Sequence, residues 1–284
     1  MRIYVCPCTD KEKSVKALPP VIAALTGNGI TPVMSDAVRG IYDDERVTYI
    51  GTVAGDELPD DCDMIMTVGG DGTMLKWGKR ATFAFRPLIG VNTGRLGFMT
   101  SLDADELDRL SALADGSYTL SRRMLLSASV GQREWCAIND VVLFKDVNSK
   151  LPEFTVKING NTITKIRADG LIFSTPTGST AYALSAGGPI IEPTVECIQM
   201  IPLCAHTLLN RPMIFSGNDI VTVSYAAYEG SRVNISADGS EGYEFAAETE
   251  LTVQKLKDAA LQIVEIGGRS FYSSVREKLM TPLK

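Results

Sequence analysis

The sequence predicts an α/β N-terminal domain with a parallel sheet, a β-rich C-terminal domain, and a C-terminal tail packing back on the first domain. Three observations lead there. Strand-like and helix-like runs alternate over residues 1–117, short strands with alternating apolar residues fill 118–265, and an amphipathic run returns within 266–284. Alternating β and α elements build parallel sheets covered by helices, whereas successive short strands between turn residues build antiparallel ones. A length of 284 residues suits two domains, each with a core of its own.

Taken in order, Arg2 to Cys6 reads as a strand, and Thr9 or Asp10 as the cap of a helix through Leu25 that stops at Gly27-Asn28-Gly29. Pro19-Pro20 falls inside that helix, so a kink or a restart is expected there. Ile30 to Met34 is a second strand, and the acidic, irregular stretch from Ala37 to Asp61 reads as a loop. Cys62 to Val68 is a short buried strand, followed by a helix that Thr73 is placed to cap. Pro87 to Val91 is the next strand and Asp103 to Ala114 the next helix. The second domain opens with strands at Leu126 to Val130, Trp135 to Phe144, Phe154 to Ile158, Thr162 to Ile166 and Gly170 to Ser174. Further ones follow at Ile214-Phe215, Ile220 to Tyr225, Val233 to Ala237 and Glu250 to Lys255. Asn159-Gly160 between two alternating runs is a hairpin signal. Arg269 to Leu279 is the amphipathic run of the tail.

A formal net charge of −6 argues against a protein that coats nucleic acid, which needs a basic face. No apolar run reaches the length of a membrane span, and the first residues lack a signal peptide's apolar stretch, so a cytoplasmic protein is expected, with no membrane partner. The six cysteines are scattered, several of them in apolar runs, and imply no disulfide framework. Cys204 and His206 have no second pair at ligand spacing, so no protein-held metal is expected. His206 is the sole histidine and reads as structural, which leaves acid–base chemistry to carboxylates.

Val68-Gly69-Gly70-Asp71-Gly72-Thr73 joins a buried strand to a helix start. Glycine lets the backbone approach a ligand closely, and successive N–H groups at a helix start form an anion nest. A carboxylate beside bound phosphates is repelled unless it serves a proton or a metal, so Asp71 is the first catalytic candidate. Taken alone, the run also fits a plain strand-to-helix turn. Gly90 to Phe98 repeats the strand-then-glycine pattern and adds Asn92, Thr93 and Arg95, donors suited to a polyphosphate. In Ala168 to Pro189 a buried strand runs into hydroxyl and glycine positions (Ser174, Thr175, Thr177, Gly178, Ser179, Thr180), then into a small-residue helix. Such hydroxyls recognise sugar and amide groups. Arg167 and Asp169 flank this stretch, either as site residues or as a salt bridge between strands. Asn139-Asp140 ahead of an apolar run offers an amide and a carboxylate to a ribose diol and a base edge. Neither a P-loop nor a Gly-x-Gly-x-x-Gly fingerprint occurs.

Together, Gly69-Gly70-Asp71-Gly72-Thr73, Asn92 to Phe98, Asn139-Asp140 and Asp169 through Tyr182 resemble the NAD kinase family over nearly the whole chain. The serine/threonine stretch is specific to that family, while the glycine-aspartate element is shared with lipid kinases. Two departures are Asn139-Asp140 in place of Asn-Glu and Asp238-Gly239-Ser240 in place of Asp-Gly-Gln. The resemblance implies transfer of the γ-phosphoryl group of ATP to the 2′-hydroxyl of the adenosine ribose of NAD, with Asp71 as the proton acceptor. It implies nucleotide and substrate contacts from Gly69, Gly70, Gly72, Thr73, Lys76, Asn92, Asn139, Asp140, Arg167, Asp169 and the run Thr180, Ala181, Tyr182, Ala183, Leu184 and Ser185. It also implies a divalent cation, Mg²⁺ carried in with ATP, and a homodimer or homotetramer. The rivals are a lipid kinase, which needs an apolar slot where this chain has a polar run, and a nucleotide sensor without turnover.

Overall fold

A computed structural model describes residues 1–51, 58–94, 97–206, 211–226, 231–267 and 270–280. Two compact units emerge, Met1–Arg122 with Leu261–Lys284, and Arg123–Ala260.

The first unit begins with strand β1 (Arg2–Pro7), helices α1 (Glu12–Lys16) and α2 (Leu18–Gly27), and strand β2 (Thr31–Ser35). The helix expected to run unbroken to Leu25 is therefore two. Pro19 and Pro20 occupy the first turn of α2, where a missing N–H costs nothing, so the chain restarts there rather than kinking. Neither Thr9 nor Asp10 caps α1; its cap position is Lys11, without a side-chain cap bond. Strand β3 (Thr48–Ile50) lies inside the stretch read as a loop, a three-residue edge strand against β2, while residues 52–57 lie outside the described residues. Next come β4 (Met64–Gly69), α3 (Asp71–Phe83), β5 (Leu88–Asn92) and the two-residue β6 (Leu102–Asp103). The helix expected over Asp103 to Ala114 reduces to a 3₁₀ turn, Leu107–Leu110, and α4 (Ser111–Asp115), which ends on Gly116 in the left-handed region (φ 78°). Strand β7 (Tyr118–Arg123) completes this part of the chain.

In the second unit come β8 (Leu126–Val130), β9 (Arg133–Ala137), β10 (Asp140–Lys145), β11 (Glu153–Ile158), β12 (Asn161–Arg167) and β13 (Gly170–Ser174). A 3₁₀ turn, Thr177–Thr180, and the short helix α5 (Tyr182–Ser185) follow. Then come β14 (Cys197–Leu203), β15 (Met213–Ser216), β16 (Val221–Ala226), β17 (Val233–Ala237), β18 (Tyr243–Phe245) and β19 (Leu251–Lys255). Two antiparallel sheets result, in the orders β15-β14-β13-β10-β17-β18 and β12-β11-β16-β19-β8-β9. Alternate residues of both sheets, among them Leu143, Phe154, Phe173, Val223 and Ile235, share one buried core, the arrangement of a β-sandwich. The hairpin at Asn159-Gly160 has both central residues at positive φ (50° and 83°), as a two-residue turn between twisted strands requires. Trp135 to Phe144 is split between β9 and β10 rather than continuous.

Strand β20 (Leu261–Ile266) then returns to the first unit and pairs parallel with β5, and α6 (Phe271–Val275) with a π-helical turn, Arg276–Met280, closes the described chain. Ser101 Oγ donates to the Val264 carbonyl (2.5 Å) and Arg109 Nη2 to that of Ile266 (2.8 Å). The first unit is thus larger than a division at 117 and 265 suggests, because β7 and β20 both join its sheet. That sheet runs β3-β2-β1-β4-β5-β20-β7, with β6 on β5. The strand order reverses between β1 and β4, and a parallel sheet opens a crevice beyond the carboxyl ends of its strands at such a point. Among the described residues, no helix is long and apolar enough to cross a membrane.

Candidate active site

The buried strand β4 ends at Gly69, and α3 begins at Asp71 with Gly70 in the cap position. Thr73 is therefore not the cap. Its N–H already donates to the Gly70 carbonyl (2.8 Å) as part of the first turn. Gly70 has no side chain to receive the leading N–H groups, so the start of α3 keeps open donors of the kind that bind anions. Gly69 matters for room: a Cβ there would overlap the Thr73 hydroxyl. A cavity of about 150 Å³ opens at this point, lined by Cys8, Thr9 and Lys11 after β1 and by Gly72, Thr73 and Lys76 of α3. It lies at the β1/β4 reversal, where ligand binding is expected for this topology.

Asp71 is half-buried and held from one side. Its Oδ2 accepts from the Phe98 N–H (2.8 Å) and its Oδ1 from the Met99 N–H (3.0 Å). Each oxygen retains lone-pair capacity for a further donor. Gly97 is what lets the loop come so close, since a Cβ there would collide with Asp71 Oδ1 and Thr100 Oγ1. Arg95 and Leu96, part of the second glycine motif, lie outside the described residues.

Asn92, buried at the end of β5, donates from Nδ2 to Asp103 Oδ1 (2.7 Å) and accepts at Oδ1 from the Gly94 N–H (3.1 Å). Both contacts shape the loop. The Thr93 N–H donates to the Gly69 carbonyl (2.9 Å), tying this loop to the first motif. A larger cleft of about 620 Å³ lies alongside, lined by Lys13, Lys16, Asn92, Thr93 and Asp103.

In the second unit, Asn139 and Asp140 sit where β9 gives way to β10, and Asp238 holds that corner. The Asp238 carboxylate accepts from the N–H groups of Ile138 (2.9 Å), Asn139 (2.8 Å) and Asp140 (3.2 Å). Asp238 and Gly239 both have positive φ (51° and 71°), which turns the chain back at the end of β17. Ser240, the departure from the family pattern, uses its hydroxyl to accept from the Ala237 N–H (3.1 Å) and so closes that turn. Asp140 is 5% exposed.

The threonine-rich run folds onto the same corner. Thr175 Oγ1 donates to the Ile138 carbonyl (2.6 Å), and the Thr175 N–H donates to that of Asn139 (2.9 Å). Gly178 lies against the Asn139 backbone with no space for a Cβ. Ser179 Oγ donates to the Pro176 carbonyl (2.6 Å) and accepts from the Ile191 N–H (3.0 Å). These buried hydroxyls therefore build the loop, and the groups left at the surface come after it. Thr180, Ala181 and Leu184 are half-buried, Tyr182 and Ser185 exposed. Ala183 packs in a small apolar cluster with Val142, Ile172 and Ile201, and its carbonyl accepts from the Gly188 N–H (2.9 Å). Arg167 and Asp169 do pair across strands, but not with each other: Arg167 faces Glu153 (3.9 Å) and Asp169 faces Lys145 (3.8 Å). Both contacts are long and partly exposed, the kind that add little stability.

Sequence reading missed Asp238 as the brace of the Asn139 corner, and it missed the Phe98 and Met99 amides and Lys11 as site features. Asp-Gly after the Val233 to Ala237 run was a visible turn signal for the first. A backbone amide leaves no mark in a sequence.

An acid at an open helix start, at the reversal of a parallel sheet and beside a lysine-lined cavity, defines a phosphotransferase of the kinase class. Family models for the ATP-NAD kinase N-terminal domain and the ATP-NAD kinase C-terminal domain match residues 11–118 and 138–265. The chain belongs to the NAD kinase family. It is 32% identical over 286 residues to the NAD kinase of Caldanaerobacter subterraneus subsp. tengcongensis, covering 98% of each chain. It is 36% identical over 276 residues to that of Symbiobacterium thermophilum, covering 95% of each. The fold is similar to that of yeast NADH kinase complexed with NADH, at a TM-score of 0.83 and 22% identity over 100% of this chain and 89% of that one. It is also similar to an NAD kinase from Archaeoglobus fulgidus in complex with ATP, at a TM-score of 0.73 and 23% identity over 97% and 99%.

Proposed function

We propose that this chain transfers the γ-phosphoryl group of ATP to the 2′-hydroxyl of the adenosine ribose of NAD, giving NADP. The observation that carries the reading is the seating of Asp71: both carboxylate oxygens are fixed by backbone N–H groups, beside the open start of α3. Phosphoryl transfer asks the protein for positioning, charge stabilisation and a group that takes the hydroxyl proton. Asp71 is that group. Gly70 and Gly72 hold the donor phosphates by backbone N–H groups and Thr73 by its hydroxyl, in the room that Gly69 leaves, with Lys76 and Lys11 adding positive charge around the cavity they line.

Asn139 and Asp140 take the acceptor's ribose and base, on a corner that Asp238 makes rigid. Arg167, Asp169 and the Thr180 to Ser185 run supply its remaining contacts. Among the described residues, no three His, Cys, Asp or Glu side chains converge to hold a metal ion. The divalent cation, Mg²⁺, enters with ATP as its complex, where it neutralises phosphate charge. The protein works as a homodimer or homotetramer in the cytoplasm.

The test is NADP formation from ATP and NAD by the purified chain, read in a coupled assay. Asp140→Ala is expected to raise KM for NAD about tenfold or more, as loss of hydrogen bonds to a charged group does, with a smaller change for ATP. An unchanged KM for NAD removes Asp140 from the acceptor site. A chain that makes no NADP defeats the reading as a whole.

A further inference from the structure

By its sequence the tail is only an amphipathic run that returns to the first unit, and nothing in the four chemical motifs calls on it. The structure gives it a more specific task. After Ser270, whose hydroxyl accepts from the Ser273 N–H (3.2 Å) in a reciprocal cap, α6 and the π-helical turn lead to Lys278. The Lys278 ammonium stands over the Phe98 ring, 3.8 Å from its centroid, and Phe271 packs on the same ring at 6.4 Å. Phe98 is the residue whose N–H holds Asp71 Oδ2. The tail therefore places a cation at the loop that seats the catalytic carboxylate, close enough for the Asp71 charge to act on it.

The surrounding charges agree with that placement. Burial lowers the pKa of Lys278 below the ordinary lysine value, while the fields of Asp71 and Asp103 act to raise it again. Asp103 is the partner of Asn92, at the end of β5. An amine at this position faces two carboxylates, and a third anion must arrive when a nucleotide donor binds.

We propose that Lys278 is a further catalytic residue of the transfer reaction, its ammonium contacting the phosphoryl oxygens beside Asp71 as the group moves from donor to acceptor. A base next to a phosphoryl group repels it, and a lysine reaching the same point offsets that repulsion where it is greatest. The acceptor's proton goes to Asp71, the bond from the γ-phosphorus to the bridging oxygen of ADP breaks, and the bond to the 2′-oxygen forms. Lys278 keeps its protons throughout. The cation over the Phe98 face holds the amine in place before the nucleotide arrives. This role rests on the phosphotransfer reading of the Asp71 site.

Its test compares Lys278→Met and Lys278→Arg with the parent chain in NADP formation, together with KM for NAD and the melting temperature. Removing a preorganised donor to transition-state charge lowers kcat by on the order of 10²-fold, so Lys278→Met is expected to lose about that much. KM for NAD and the melting temperature stay near the parent's, and Lys278→Arg recovers most of the rate. A Lys278→Met chain with kcat within roughly threefold of an active parent overturns the role of Lys278 and leaves the phosphotransfer reading standing. A loss that Arg does not restore and that follows a fall in melting temperature overturns it too, in favour of a structural tail contact. A parent that forms no NADP defeats the underlying reading instead.

Discussion

Asp71→Asn is expected to lower kcat for NADP formation by on the order of 10²-fold or more, as removal of a general base does, with NAD binding retained. The geometry explains why so small a change is severe. Asp71 accepts one backbone N–H on each oxygen, from Phe98 and from Met99. An asparagine offers one oxygen and one amino group, so in either orientation its NH₂ meets an N–H donor head on. The substitution removes the proton acceptor and also loosens the loop that holds it. A hydrogen bond to a charged group contributes about 1.5–3 kcal/mol, so a measurable fall in melting temperature should accompany the rate loss. Calorimetric titration with NAD separates the two effects: binding within a few-fold of the parent alongside the loss of kcat places the defect in the chemical step. Turnover at the parent's rate excludes Asp71 as the base.

Much of this site was legible in the sequence because it is made by local chain geometry. A buried strand, a glycine turn and a helix start are adjacent in sequence, so Gly69 to Thr73 declares itself in one glance. The same is true of the Asn159-Gly160 hairpin, whose two positive φ angles follow from residue type. What escaped is what depends on distant partners. Strand β20 was not among the expected strands, and its place beside β5 in the first sheet depends on pairing with a strand more than 170 residues earlier. Strand β14 was hidden by Pro202, which normally argues against a central strand. Pro202 is tolerated because it faces Leu171 of β13 at a level beyond the registered β14–β15 pairs, which run only from Cys197 to Met200. Lys278 and Phe98 meet over an even longer separation, and nothing local to either announces it. The hydroxyl run was legible as special but not in its division of labour: Thr175 and Ser179 brace backbone, and only the residues from Thr180 onward face outward.

Asp238→Ala is the substitution expected to damage the second unit most. One carboxylate there satisfies three successive N–H groups, those of Ile138, Asn139 and Asp140, and both Ile138 and Asp140 are buried. Alanine leaves these donors without their acceptor where water has poor access, and each orphaned group is penalised. It must also sit at φ 51°, a region that suits asparagine and aspartate better than alanine. Together these effects amount to about 3–5 kcal/mol, which makes the corner between β9 and β10 the first part of this unit to lose its shape. Because Asn139 and Asp140 stand on that corner, KM for NAD rises with the loss of stability. Asp238→Asn tolerates the same φ and keeps one acceptor oxygen, which can serve Asn139 and Asp140 as Oδ1 does now, so it is expected to lose roughly half as much. Urea unfolding of the two variants, read beside KM for NAD and for ATP, gives the ordering. If alanine and asparagine unfold at the parent's midpoint, the three amides are not what holds the acceptor corner in place.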